Sequence, residues 1–209
     1  YSPCGIHFLD SGNYHYATKF FIEKIREPFA LVLYDNHSDM QPPEFHGMIS
    51  CGDWAGDVVC TNPCLEQLIL AGPEQKTIDE IPSEFYKKLV CISREEIEEK
   101  RVHEKIPLID MDLPIYISID KDVLDRNSAR TNWNQGEMPF PVLEGLLLEV
   151  FEHQRVIGAD ICGECSLLEP FRELMEDEEI NKIINDRLYH FLNDCLRTSR
   201  NFSTGFEKT

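Results

Sequence analysis

Two short stretches of this chain place hard oxygen donors directly behind apolar runs. Asp35-Asn36-His37-Ser38-Asp39 follows Ala30-Leu31-Val32-Leu33-Tyr34, and Asp120-Lys121-Asp122 follows Ile115-Tyr116-Ile117-Ser118-Ile119. Continuous apolar runs of this kind read as strands covered on both faces, and in open α/β sheets ligands bind beyond the strands' carboxyl ends. Side chains alternate along an extended segment, so Asp35, His37 and Asp39 share one side of theirs, as do Asp120 and Asp122. Four carboxylates drawn together in a low-dielectric pocket repel one another unless a cation sits among them. A divalent metal, or a pair of them, is the chemistry this pattern predicts.

A third segment points the same way. Leu9-Asp10-Ser11-Gly12-Asn13-Tyr14-His15 follows a strand-like run and leads into a helical stretch, Tyr16–Arg26, so His15 falls at a helix's first turn on the edge that carries Asp35. An imidazole there suits a metal. Alone, each residue has a plainer explanation: Ser11 or Asn13 as a helix cap, Asp39 as a turn former, Asp120 as a cap, and Asp120, Asp122 and Asp125 as a solvated loop. Three segments sharing a strand-end context favour the metal. Glu164 follows the last predicted strand on the same edge, where a carboxylate could hold a substrate cation, with Asp160 as the alternative and a turn or helix cap as the ordinary role of either.

Strand-like runs at Gly5–Leu9, Phe29–Tyr34, Leu68–Ala71, Leu89–Ile92, Ile115–Ile119 and Val156–Ile161 alternate with helical or loop stretches, the signature of a parallel α/β sheet. Leu143, Leu146, Leu147, Val150 and Phe151 follow a helical period, as do Ile180 to Cys195 behind the acidic run Glu176–Glu179. Ser93-Arg94-Glu95-Glu96 is a capping box opening a charged helix through about Lys105. The 209 residues, 42% hydrophobic, suit one domain over residues 1–209, and the strand-like sequence beginning within five residues of Tyr1 is compatible with a missing upstream segment.

A net charge of −18, with no Lys/Arg cluster, argues against a phosphate-binding surface, so nucleic acid is not expected as a partner. No stretch approaches the roughly 18 apolar residues of a membrane span and no signal peptide opens the chain, so a cytoplasmic protein without a membrane partner is expected. The eight cysteines then read as reduced thiols, mostly small core residues. A zinc site from Cys60, Cys64, Cys162 and Cys165 is not expected, because nothing brings the two pairs together.

Gly12-Asn13-Tyr14-His15, Asp35-Asn36-His37-Ser38-Asp39, His46-Gly47 and Ser118-Ile119-Asp120-Lys121-Asp122 resemble the ordered signature of the arginase (ureohydrolase) family, over about residues 5 to 170. The resemblance implies a three-layer α/β/α fold with a mainly parallel sheet and two manganese ions, other divalent metals also being compatible. It implies His15, Asp35, Asp39 and Asp120 on one ion and His37, Asp35, Asp120 and Asp122 on the other, with Asp35 and Asp120 bridging. It also makes His46 a proton shuttle and Glu164 a holder of the substrate guanidinium, although the local spacing is one residue longer. Only six residues, Met40 to Phe45, separate Asp39 from His46 where arginases carry a longer loop that recognises the amino-acid end of arginine, so L-arginine is not the expected substrate. Trp133 and Asn134 could supply a different pocket wall, and Cys51 and Trp54 could line the entrance.

The chemistry stands beside the resemblance. Mixed carboxylate and imidazole donors suit manganese, and two ions roughly 3.5–4 Å apart can lower a bridging water's pKa until hydroxide forms at neutral pH. Attack on a guanidinium or amidinium carbon then needs an acid near neutrality to protonate the leaving amine, a role for His46. The expected function is a binuclear hydrolase of a guanidino or amidino C–N bond in a small cationic molecule. Two alternatives are a zinc-dependent deacetylase of the same fold and a metal-binding regulatory protein without turnover. Assembly into homo-oligomers is left open.

Overall fold

The computed structural model describes residues 2–43, 47–168 and 170–204. Six strands, β1 (Gly5–Phe8), β2 (Phe29–Tyr34), β3 (Leu65–Ala71), β4 (Leu89–Ile92), β5 (Ile115–Asp120) and β6 (Val156–Cys162), form one sheet in the order β1-β6-β5-β2-β3-β4. Every pairing is parallel, so all the carboxyl ends lie along one edge. From β2 the chain steps outward to β3 and β4, then returns to place β5 on the other side of β2. The strand order therefore reverses between β2 and β5, where loops leave in opposite directions and open a crevice. Tyr34 pairs with Ile119, so the residues that follow, Asp35 and Asp120, stand side by side at that crevice.

The continuous apolar runs follow from burial on both faces. Leu31, Leu33, Leu68 and Leu70 pack with Ile22 of α1 (Thr18–Ile22) and with Trp54, Ala55 and Val58 of α2 (Trp54–Thr61). The alternate residues Val32, Tyr34, Ile69 and Ala71, with Ile117 and Ile119, pack with Leu143 and Leu147 of α5 (Phe140–His153) and with Ile184, Leu188 and Leu192 of α6 (Phe171–Thr204). Short helices α3 (Gln75–Asp79) and α4 (Arg94–Glu98) join β3, β4 and β5. The result is the expected three-layer α/β/α arrangement.

Boundaries differ where local sequence is a poor guide. The stretch from Tyr16 to Arg26 is not one helix: a 3-10 segment, Gly12–Ala17, precedes the five-residue α1. The capping box at Ser93 forms, but α4 stops at Glu98 instead of running to Lys105. Three and four residues beyond the buried Ile97 stand Lys100 and Arg101, so no apolar stripe holds a further turn to the core, and Lys100 turns left-handed at φ +58°. α6 begins at Phe171, ahead of the acidic run expected to open it. Among the described residues no helix is long and apolar enough to cross a membrane, and all eight cysteines are free thiols.

Candidate metal centre

Three chain segments deliver their donors to the β2/β5 crevice. His15 comes from the 3-10 segment after β1, Asp35, His37 and Asp39 from the loop after β2, and Asp120 and Asp122 from the end of β5 and the turn behind it. Asp35 points its two oxygens at two different imidazoles: Oδ2 lies 3.2 Å from His15 Nδ1 and Oδ1 lies 3.4 Å from His37 Nδ1. Asp39 Oδ2 is 3.1 Å and Asp120 Oδ2 3.6 Å from His15 Nδ1, while Asp122 Oδ2 is 2.9 Å from His37 Nδ1. Two donor sets that could each hold an ion follow, His15 with Asp35 and Asp39, and His37 with Asp35 and Asp122, joined through one carboxylate.

Hydrogen bonding assigns the protons on both rings. Ser118 Oγ donates to Asp160 Oδ1 at 2.7 Å, so it must accept from His15 Nε2 at 2.9 Å. His37 Nε2 likewise faces Asn134 Oδ1 at 3.0 Å, an acceptor. In both neutral rings the proton sits on Nε2, and a bare Nδ1 lone pair points into carboxylate oxygens. His15 Nδ1 and Asp35 Oδ2 are buried without any hydrogen-bond partner. Lone pairs facing lone pairs in a buried pocket need a cation between them, either protons or a metal.

Titration behaviour carries the same message. Burial, with Asp122 and Asp35 close by, pushes Asp120 up to about 7. Burial, again with Asp35, lifts Asp122 to about 6. Burial also raises Asp39, against the pull of His15. Burial draws the His37 value down, but its bonds to Asp122 and Asp35 outweigh that and raise it to about 12. His15 is raised as well, burial being overcome by Cys162, Asp35 and Asp39. Acids and bases that both cling to protons mark a pocket short of positive charge, and a divalent ion fits that shortage.

The frame around the donors is specific. Asp35 Oδ1 accepts from the His37 amide at 2.6 Å, Asp122 Oδ1 from the Asn36 amide at 3.0 Å, and Asp120 Oδ1 from the Asp122 amide at 2.9 Å. Asp39 sits at φ +53°, a left-handed turn that returns its carboxylate toward His15, and Trp54 Nε1 donates to its Oδ2 at 2.6 Å. Trp54 is fully buried behind Asp39, so it does not line the entrance as expected from sequence. At Gly163, φ +92°, a Cβ would come within 2.5 Å of Asp120 Oδ1, so glycine is required for the chain to pass this close.

The crevice over the donors holds about 80 Å³, with Trp133, Cys51 and Gln41 on its rim. Trp133 stands edge-on to His37, 5.9 Å between centroids, and its Nε1 donates to Asn13. Asn134 is brought against His37. Glu164 lies at the expected edge, but its carboxylate is already engaged. Oε1 accepts from the fully buried Lys121 Nζ at 2.6 Å and from Asn185 at 2.8 Å, and Oε2 accepts from Asn181 at 2.9 Å. Asp160, the alternative, is buried under Ser118, where Thr18 also donates to it. His46 lies outside the described residues. A larger apolar cavity, about 350 Å³, lies between α5 and the sheet, away from the donor cluster.

Comparison with known proteins decides the family. The profile described as "Arginase family" matches residues 14–163, more than half of the chain and all of the donor segments. The chain belongs to the arginase family. An uncharacterized protein of Thermotoga maritima is 34% identical to this arginase-family chain over 191 residues, covering 90% of it and 69% of the relative. Among solved structures, a hypothetical agmatinase from Burkholderia thailandensis superimposes with a TM-score of 0.68 at 17% identity, covering 96% of this chain and 60% of that one. The formimidoylglutamase of Bacillus subtilis gives a TM-score of 0.64 at 20% identity, covering 88% of this chain and 60% of that one. Proclavaminate amidino hydrolase from Streptomyces clavuligerus also gives 0.64, at 16% identity, with 91% of this chain and 65% of that one covered. At these identities the likeness establishes the arginase-family fold, and the chain spans about three-fifths of the length of these structures.

Proposed function

We propose that this chain hydrolyses a C–N bond of a small guanidino or amidino compound at a pair of divalent ions. The observation that carries the reading is Asp35, which turns one oxygen to each of two imidazoles whose Nδ1 atoms are free to coordinate. One ion would be held by His15, Asp35, Asp39 and Asp120 and the other by His37, Asp35, Asp120 and Asp122, a hard donor set that would suit manganese. Bound there, the ions supply an activated water and a Lewis acid for attack on a planar carbon.

The chain's own groups do the rest. Ser118 and Asp160 hold His15 in the tautomer that presents Nδ1, and Asn134 does the same for His37. Trp133, 44% exposed at the rim, offers an aromatic surface to a planar, delocalised cation. His46 protonates the departing amine. Glu164 does not serve as the substrate's anchor in this arrangement, because Lys121 already supplies its cation. Substrate charge is then met by the crevice carboxylates and Trp133. The structural relatives include proteins named for agmatine, formimidoylglutamate and proclavaminate amidino chemistry, which keeps the reading within the guanidino and amidino class.

The test is metal analysis of manganese-loaded protein followed by a urea and ammonia release screen over guanidino, amidino and formimino compounds. Two ions per chain are expected, with turnover of one compound class that is lost in His15→Ala. Recovery of one ion or fewer, indifferent to His15→Ala, contradicts the paired centre.

A further inference from the structure

We infer that Cys162 is a sulfur donor to the ion held by His15 and Asp120, so that one half of this centre binds its metal through nitrogen, oxygen and a thiolate. The inference rests on the paired-ion reading above and adds the identity of one ion to it. Cys162 is the last residue of β6 and pairs in register with Asp120, the last residue of β5. Its side chain is buried, and its Sγ donates to Asp120 Oδ2 at 3.1 Å. Donor atoms of His15, Asp120 and Cys162 all lie within 4.8 Å of one another. A buried thiol at a strand end is ordinarily only a small apolar residue. Here it shares a donor group with His15, whose Nδ1 is buried without a partner, so sulfur, nitrogen and oxygen donors meet at this imidazole, which also belongs to the group formed with Asp35 and Asp39.

Sulfur changes what the point prefers. Carboxylate oxygens suit manganese and magnesium, whereas a thiolate selects zinc and other softer ions. When the ion enters, the Sγ–H bond breaks, the proton leaves to solvent, and the sulfur lone pair forms the bond to the metal. The hydrogen bond to Asp120 Oδ2 is lost in the same event, which frees that oxygen to coordinate. Nothing is oxidised or reduced, and each ion bound this way releases one thiol proton. The His37 half has no sulfur in its donor set, so the two halves differ in kind.

The experiment loads the purified full chain with zinc and, separately, with cobalt(II). X-ray absorption of the zinc form is expected to show one sulfur neighbour at about 2.3 Å in one of two sites. The cobalt form is expected to show a near-ultraviolet thiolate-to-cobalt band. In Cys162→Ser the band disappears, one fewer proton is released per chain on zinc binding, and the preference for zinc over manganese falls by about tenfold or more. The wild-type absorption spectrum makes the test independent of how well the variant folds. Two bound ions with only nitrogen and oxygen neighbours, or a band that persists in Cys162→Ser, overturn the sulfur ligand and leave the paired-ion reading intact. Failure of the wild-type chain to bind either metal overturns both.

Discussion

At the scale of single residues, the candidate donors were legible and their supports were not. Asp35, His37, Asp39, Asp120 and Asp122 could be found because each polar residue interrupts or follows an apolar strand, a local contrast visible in the sequence. Ser118 and Cys162 sit in or at the end of apolar runs and read as core, while Trp54 read as a residue of the entrance and Asp160 as an alternative holder of a substrate cation. Their roles come from partners far away in the chain, as with His15 and Ser118, which are 103 residues apart. Trp54 shows how such a support acts. Its indole N–H is held against Asp39 Oδ2 on the side facing the core, which aims the carboxylate and steadies its charge once an ion is bound. Trp54→Phe keeps an aromatic side chain but removes the N–H donor together with part of the indole, leaving a small cavity at a fully buried position. It is expected to weaken metal binding by about 10–100-fold, measured by competition with a chelator, beyond a cavity cost of about 1–3 kcal/mol to the metal-free protein, measured separately by denaturation. Affinity within a factor of two of wild type would show that the Trp54 contact is packing alone.

Elements carry a second layer that composition hides. Lys121 stands between two donors in a stretch that otherwise reads as a metal loop, and a lysine there suggests a solvated side chain. Instead it is fully buried and joined to Glu164 and to Asn185 of α6, while Asn181 of the same helix bonds Glu164 and Arg130. The long terminal helix is thereby tied to the turn that follows β5, which explains why a helix so polar on its outer face still has a fixed position over the sheet. The pair could not be read from sequence because Glu164 and Lys121 are 43 residues apart and neither lies in a patterned element. A lone charge left in this place is costly, whereas an apolar pair of similar volume is not. Lys121→Met is therefore expected to destabilise the protein by about 3 kcal/mol, the lower end for a buried pair because Glu164 is partly exposed. Lys121→Met/Glu164→Leu is expected to recover part of that loss, the remainder reflecting the Asn181 and Asn185 amides that lose Glu164 as acceptor, as a double-mutant cycle by chemical denaturation would show. Additive losses in the double variant would mean that the two side chains are not coupled.

For the molecule as a whole, alternation of strand-like and helical stretches was enough to indicate a parallel three-layer fold, but strand order is not a local property. The reversal between β2 and β5 emerges only from the sheet, and it is what turns two separate acidic segments into one pocket. That pocket sets how global stability depends on pH and metal. Asp120 and Asp122 are raised to about 7 and about 6, and His37 to about 12. All three bind protons more tightly folded than unfolded. Their contribution is complete below the unfolded values, near 4 for Asp and 6.5 for His, and is lost as pH climbs through the folded ones. The metal-free protein should thus melt at a higher temperature near pH 5.5 than near pH 7.5, contrary to the usual behaviour of proteins stabilised by ionised carboxylates. A divalent ion replaces those protons, so its affinity rises with pH, and saturating metal at about 100 times its dissociation constant adds about 2.7 kcal/mol. Melting curves in chelator and in manganese across this interval are expected to diverge as pH rises, the chelated protein falling and the loaded one holding. Parallel curves, or a metal-free protein that grows more stable toward neutrality, would mean that the carboxylates at the carboxyl ends of β2 and β5 do not share one charge-starved pocket.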